Sequence, residues 1–260
     1  MNIRPESIIQ ILRETREILL PQWGKIDIAY QKDGSAHNIV TEMDIKVENV
    51  VKKKLFKLHS DIGFVGEESG GDRNVKKFWL MDPIDGTQHY VRGLPFCTTM
   101  IALVDDGKIV FSAIYDFIND NMYWAQKDKG AFCNDRRLHV SSRSLKDSYI
   151  CWETHLEKEQ NKKIFFDLLK RTHLVKTICA GWDFAMVADG KLDARICFDP
   201  YGKDYDFAPG CLLIMEAGGV VTNVGSDSKK YDYRNVNFIA ANLIINEELS
   251  ASGIFSELIS

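Results

Sequence analysis

The chain lacks any run of about 18 apolar residues, so no segment of it reads as a membrane span. Its N-terminal stretch scatters Glu6, Arg13, Glu14, Arg16 and Glu17 among apolar positions and so lacks the unbroken apolar core of a signal peptide. Cys-x-x-Cys pairs are also missing. The six cysteines (Cys97, Cys133, Cys151, Cys179, Cys197, Cys211) are dispersed, which removes the usual thiolate zinc site and points to reduced, mostly buried thiols in a cytoplasmic protein. There is no internal repeat, low-complexity tract or Pro/Ser-rich linker. Nor is there an excess of positive charge. A formal net charge of -4 argues against nucleic acid as the partner. Lys52, Lys53, Lys54 and Lys57 form a local basic cluster that reads as a solvated helix face, with a contact surface as the alternative.

What is present is a hydrophobic content of 45% over 260 residues, enough for a substantial core. With no linker, residues 1–260 are expected to form one domain of two packed halves, about 1–141 and 142–260. Apolar spacing predicts a helix from Pro5 to Leu20 and a second helix after Thr41, a suitable N-cap, with Asp44 in its first turn. Short apolar runs then predict strands at 62–65, 78–81, 98–104, 108–115 and 122–125, with turns at Asp105-Asp106-Gly107 and Asn119-Asp120-Asn121. Helices near 161–170 and from Asp206, the latter stopped by Gly218-Gly219, alternate with strands at 194–198, 220–222 and 238–241. The class is therefore a layered α/β arrangement, with an antiparallel meander in the first half and a mixed second half.

Candidate chemistry concentrates in Asp82-Pro83-Ile84-Asp85-Gly86-Thr87, where an apolar strand runs into two carboxylates, a turn glycine and a hydroxyl. Oxygen ligands of this kind suit magnesium rather than zinc. Each of these residues is also common in turns, so the segment alone supports either a turn or a site. An aspartyl-phosphate mechanism calls for Asp-x-Asp, and here two residues separate the carboxylates. Glu67 and Glu68 follow another short strand, where a solvated loop is the other reading. Asp206 sits at a helix start, where capping would also explain it.

Taken together, Gly66-Glu67-Glu68, the Asp82 to Thr87 motif and Asp206 through Gly219 resemble, in order and separation, the inositol monophosphatase family of lithium-sensitive phosphatases. Thr41-Glu42-Met43-Asp44 and Lys129 to Asn134 extend the resemblance over most of the chain. It implies the αβαβα sandwich of the inositol monophosphatase and fructose-1,6-bisphosphatase type, a homodimer, and a small phosphorylated metabolite as substrate. It also implies two or three Mg2+ ions held by Glu67, Asp82, the Ile84 carbonyl, Asp85 and Asp206. The Gly86 and Thr87 amides would hold a phosphate oxygen, and the Thr87 hydroxyl would orient the attacking water, with Asp44 as its partner and Glu67 helping to take the proton.

The substrate end departs from the family's pattern. Ala180-Gly181-Trp182-Asp183 replaces a Gly-Ser-Ala run, and Cys197 stands where an inositol-binding glutamate is expected. His89 and Tyr205 replace an asparagine and a tryptophan. Gly181, Trp182 and Asp183 are the candidate substrate contacts. Trp182 is read either as a stacking platform or as a structural ring, and Asp183 either as a hydroxyl acceptor or as a helix cap. The expected reaction is hydrolysis of an inositol, sugar or polyol phosphate. The alternatives are a 3′-phosphonucleotide phosphatase and a phosphatase-fold protein acting through a macromolecular partner.

Overall fold

The N-terminal segment folds as α1 (Pro5–Arg13), with Pro5 in the first turn and Ile8, Ile11 and Leu12 buried. The single helix expected to reach Leu20 is broken at Glu14, and α2 (Thr15–Leu19) follows. The buried Thr15 hydroxyl donates to the Leu12 carbonyl at 2.6 Å, competing for an oxygen that a continuous helix would give to the Arg16 amide. A short ladder of β1 (Tyr30–Gln31) and β2 (Ile39–Val40) leads into α3 (Glu42–Leu58). Thr41 caps α3 as expected, accepting from the Met43 amide at 3.1 Å, and Asp44 reaches back to the Thr41 amide at 2.7 Å. The computed structural model describes residues 3–28, 30–31, 39–225 and 231–255.

Seven strands then form one sheet in chain order: β3 (Gly63–Gly66), β4 (Lys77–Asp85), β5 (Thr98–Asp105), β6 (Lys108–Asp116), β7 (Asn121–Gln126), β8 (Gly130–Cys133) and β9 (Arg136–Arg137). Only the β3–β4 pair is parallel. The short helix α4 (Thr87–Val91) leaves the end of β4. Asp106 and Gly107 both take positive φ, as the expected two-residue hairpin requires, and Asp120 does so in the next turn.

The second half adds β10 (Tyr149–Glu153), α5 (Glu159–Arg171), β11 (His173–Lys176), α6 (Ala180–Ala188), β12 (Ala194–Cys197), α7 (Asp204–Glu216), β13 (Val220–Asn223), β14 (Phe238–Ala241) and α8 (Leu243–Ala251). Its five strands order as β11-β10-β12-β14-β13, with parallel and antiparallel pairs mixed.

Alternation along the strands assigns each face to a core. In β4, Trp79 and Met81 pack with residues of α1, α2 and α3, whereas Phe78 and Leu80 pack with α6 and α7. In β14, Phe238 and Ala240 face that same pair of helices, while Ile239 and Ala241 face Ile164 and Leu168 of α5 and Ile245 and Leu249 of α8. The layers are therefore helix, sheet, helix, sheet, helix, and α6 and α7 run between the two sheets. This is the αβαβα sandwich that the resemblance implied.

Candidate metal centre and active site

The site is built on an irregularity in β4. Asp82 pairs with Met100 and Asp85 with Thr98, so β4 carries one extra residue between them. In a regular strand, positions three apart face opposite ways; the extra residue turns Asp82 and Asp85 to the same side, toward α6 and α7. Pro83 suits the interruption because it has no amide to place in the ladder. Its carbonyl accepts from the Thr99 hydroxyl at 2.9 Å. Gly86 ends the strand at φ +83°, and a Cβ there would lie 2.5 Å from the Phe96 carbonyl, so both conformation and space call for glycine.

Carboxylate oxygens of Asp82, Asp85 and Asp206 lie within 4.8 Å of one another. Asp206 comes from the first turn of α7, where its Oδ2 accepts the Lys203 amide at 2.6 Å. Asp85 is held by the Gly181 amide at 2.6 Å and the Cys179 thiol at 2.8 Å on Oδ2, and by the Ala180 amide at 3.3 Å on Oδ1. Asp82 is almost fully buried, and its Oδ1 has no hydrogen-bond partner. Burial, followed by the negative charge of Glu67, pushes the Asp82 and Asp206 carboxyls well above the usual carboxylate range. Acids at this spacing, two of them buried and Asp206 half-buried, with an unpartnered oxygen on Asp82, could hold a hard divalent cation.

Glu67 borders the same cleft, positioned by its amide donating to the Met81 carbonyl at 2.9 Å. Why Glu67 and not Glu68 faces the acids follows from Glu48 on α3. The Glu48 carboxylate accepts the Glu68 amide at 2.9 Å and the Ser69 amide at 2.8 Å, fixing the turn after β3. It sits so close that a Cβ on Gly66 would fall 2.3 Å from its Cδ.

Beside the acids, the Thr87 hydroxyl lies 3.1 Å from Asp44 Oδ1 and 2.8 Å from the Ile84 carbonyl. Asp44 is itself buried, and that burial raises its carboxyl to about 7 despite two bonds from Thr41. The cleft has a volume of about 370 Å³ and is bordered by Glu67, Asp82, Ile84, Asp85, Gly86, Thr87 and Asp206 on the acidic side, and by Glu153, Lys176, Thr177 and Tyr201 opposite.

A family sequence model, "Inositol monophosphatase family", matches residues 6–256. The chain belongs to the inositol monophosphatase family. With that it is a phosphoric monoester hydrolase of the αβαβα type. An inositol-1-monophosphatase of Rhizobium meliloti is 33% identical over 85% of this chain and 86% of its own. The Nus factor SuhB of Xylella fastidiosa is 29% identical over 93% and 91%. The solved extragenic suppressor protein suhB of Bartonella henselae superposes with a TM-score of 0.85 at 30% identity, covering 95% of this chain and 96% of that one.

Three expected substrate contacts of this family member are placed elsewhere. Gly181, Trp182 and Asp183 do not border the cleft. Gly181 lends its amide to Asp85, and a Cβ on it would fall 2.2 Å from the Thr98 hydroxyl. Trp182 packs edge-on against Phe96, with ring centroids 5.5 Å apart. Asp183 is fully buried against Arg195 and Thr177. Cys197 likewise points into the core between the sheets rather than into the cleft. Sequence reasoning missed Glu48, Cys179, Glu153 and Arg195. Of these, only Arg195 carried a local signal, a charge inside an apolar strand.

Proposed function

We propose that this protein hydrolyses a small phosphate monoester, an inositol monophosphate or another sugar or polyol phosphate, with two or three Mg2+ ions at Glu67, Asp82, the Ile84 carbonyl, Asp85 and Asp206. The observation that carries the reading is the unpartnered Asp82 Oδ1 among converging acids, two of them buried. A phosphate monoester brings about two negative charges, which such a cleft would repel unless cations intervene. Bound there, magnesium would supply charge neutralisation for the ester and activation of a water molecule.

The chain's own residues prepare that water. Thr87 has one hydroxyl proton; given to Asp44 Oδ1, it leaves the lone pairs of Thr87 free to accept from the water and fix its orientation. Asp44, with its carboxyl near neutrality, and Glu67 at the cleft wall are the groups placed to take the proton. Gly86 and Thr87 border the cleft where the phosphate oxygens would lie. Phosphate release from a panel of phosphorylated metabolites, with magnesium and with chelator, tests the reading. Absence of magnesium-dependent release from every member would reject it.

Of the two grounds for the nucleotide alternative, Trp182 as a platform is not supported by the packing of that ring against Phe96, and resemblance to relatives within the broader superfamily remains. An exposed Tyr201, beside His155 at the cleft rim, offers a different aromatic face, so 3′-phosphonucleotides belong in the panel. A role through a macromolecular partner is supported by the similarity to a Nus factor SuhB. The proposed assembly is a homodimer. The unpaired side of edge strand β11 is a surface on which a second copy would fit, and light scattering tests it.

A further inference from the structure

Arg195 is fully buried on β12, in the layer between the two sheets, and it is one of the largest side chains with no exposure at all. One end of its guanidinium donates to Asp183 and, at 2.7 Å, to the Thr177 hydroxyl; the other donates to Glu153 Oε2 at 2.5 Å. The Phe184 and Phe207 rings flank it, with centroids 5.0 and 5.5 Å from its Cζ. A buried cation of this kind is costly unless several carboxylates and ring faces offset it. The question is what the arrangement holds in place.

Each partner of Arg195 leads to a different acid of the metal cluster. Glu153 Oε1 accepts the Tyr201 amide at 3.0 Å and the Gly202 amide at 2.8 Å. Those amides belong to the turn that enters α7, where the Lys203 amide fixes Asp206. Gly202 packs so tightly on this helix start that a Cβ would lie 2.5 Å from Phe207 and 3.2 Å from Asp206 Oδ2. On the other side, Asp183 and Thr177 are joined at 2.6 Å across the entry to α6. That entry supplies Cys179, Ala180 and Gly181, three of the groups that hold Asp85.

We infer that Arg195 is the positioning residue of the metal centre: through Glu153 it sets Asp206, and through Asp183 and Thr177 it sets Asp85. The register of the sheet fits this assignment. Glu153 stands directly beside Cys197, the position where an inositol-contacting acid was expected, so the carboxylate at this level of the sheet belongs to β10 and is committed to the arginine and two amides. The inference rests on the magnesium reading above. It adds that the affinity of the acids for the ion depends on an arginine that never meets the ion or the ester.

The test uses Glu153→Gln and Arg195→Lys in the full-length protein. The glutamine amide places a donor against either the guanidinium or the two backbone amides, whichever way it turns, so the clamp cannot form. Lysine keeps the charge but loses the fork that spans Glu153 and Asp183. Magnesium binding is measured by calorimetry, and exchange of the Tyr201 and Gly202 amides is followed in chelator. Both variants should weaken magnesium binding by about tenfold or more and speed those two amides. Asp193→Asn is the structural control. It breaks a buried network with Ser141, Arg143 and the Tyr149 amide on the same sheet, and should lower stability while leaving magnesium affinity unchanged.

Folded variants that bind magnesium within about twofold of wild type, with unchanged exchange at Tyr201 and Gly202, would overturn the inference. Should Arg195→Lys fail to fold, Glu153→Gln decides alone. A wild-type protein that binds no magnesium would defeat the metal reading instead, and the exchange rates would still show whether the clamp exists.

Discussion

Replacing Asp82 with asparagine should make the metal-free protein more stable while abolishing its use of magnesium. Asp82 is 1% exposed and faces Asp85 and Asp206 across no more than 4.8 Å, with Glu67 also close enough to raise its carboxyl. Two full charges at that separation, in an effective dielectric of about 20, repel by about 3.5 kcal/mol. The folded protein relieves part of this by holding protons that the unfolded chain would release at neutral pH, so the net gain from Asp82→Asn is about 1–3 kcal/mol. The asparagine amide can also donate to Glu67, a bond the native pair makes only by keeping a proton. For a chain of this size, 2 kcal/mol is about 4–8 °C in Tm. Thermal unfolding of both proteins in chelator and in saturating magnesium is the assay. The variant should melt higher in chelator and lower in magnesium, so that the order of the two proteins reverses. An Asp82→Asn protein that melts below wild type in chelator, or gains as much from magnesium, would refute the reasoning; so would phosphatase activity within about threefold of wild type.

Thr87→Ala and Asp44→Asn should each lower kcat strongly with little change in magnesium binding, and the double variant should be hardly slower than the worse single one; losses that multiply would separate the two residues. Millimolar lithium should inhibit phosphate release, and insensitivity would indicate an altered metal site. In chelator, stability should fall as pH rises from about 4 to about 7. Asp44 moves from 3.8 unfolded to about 7 folded, so its contribution is complete below the first value and lost through the second. Thermal melts of wild type against Asp44→Asn across that range check this, and equal slopes would contradict it. Cys197→Glu should destabilise by about 3–5 kcal/mol, because it buries a further acid beside Glu153 that competes for the already committed Arg195, and should not confer inositol preference. A folded variant with kcat/KM shifted toward inositol 1-phosphate would show that position 197 does reach the substrate.

The strands of the meander and the acids of β4 were legible because each obeys a local rule. Short apolar runs, buried on both faces, mark the strands, positive φ demands glycine or aspartate in the hairpins, and Pro83 with Gly86 marks the end of a ladder. Thr41 and Asp44 were readable as a cap because both partners lie within one turn. β10 and β11 were not read, since β10 is buried on both faces after Tyr149 and β11 is only half-buried at the sheet edge, so neither gives a period-two pattern. The break at Glu14 escaped because one buried hydroxyl at Thr15 decides it. Gly181, Trp182 and Asp183 were placed at the substrate by position along the chain, whereas distant residues hold them: Gly181 meets Asp85, Trp182 packs on Phe96 and Asp183 meets Arg195. Pairings between distant segments, such as Glu48 with Ser69 or Cys179 with Asp85, leave no local trace.

The route by which α6 and α7 reach the acids has a consequence for how the ions come and go. Asp85 receives the first amides of α6, and Asp206 lies in the first turn of α7. Each helix therefore presents the positive end of its macrodipole, worth roughly half an elementary charge, to the same acidic pool. The fold carries a partial counter-charge of its own, built from backbone and present whether or not a cation is bound. Ions bound there would then be removable by chelator without unfolding the protein, and would load onto a site that is already shaped, as exchangeable reagents and not as structural rivets.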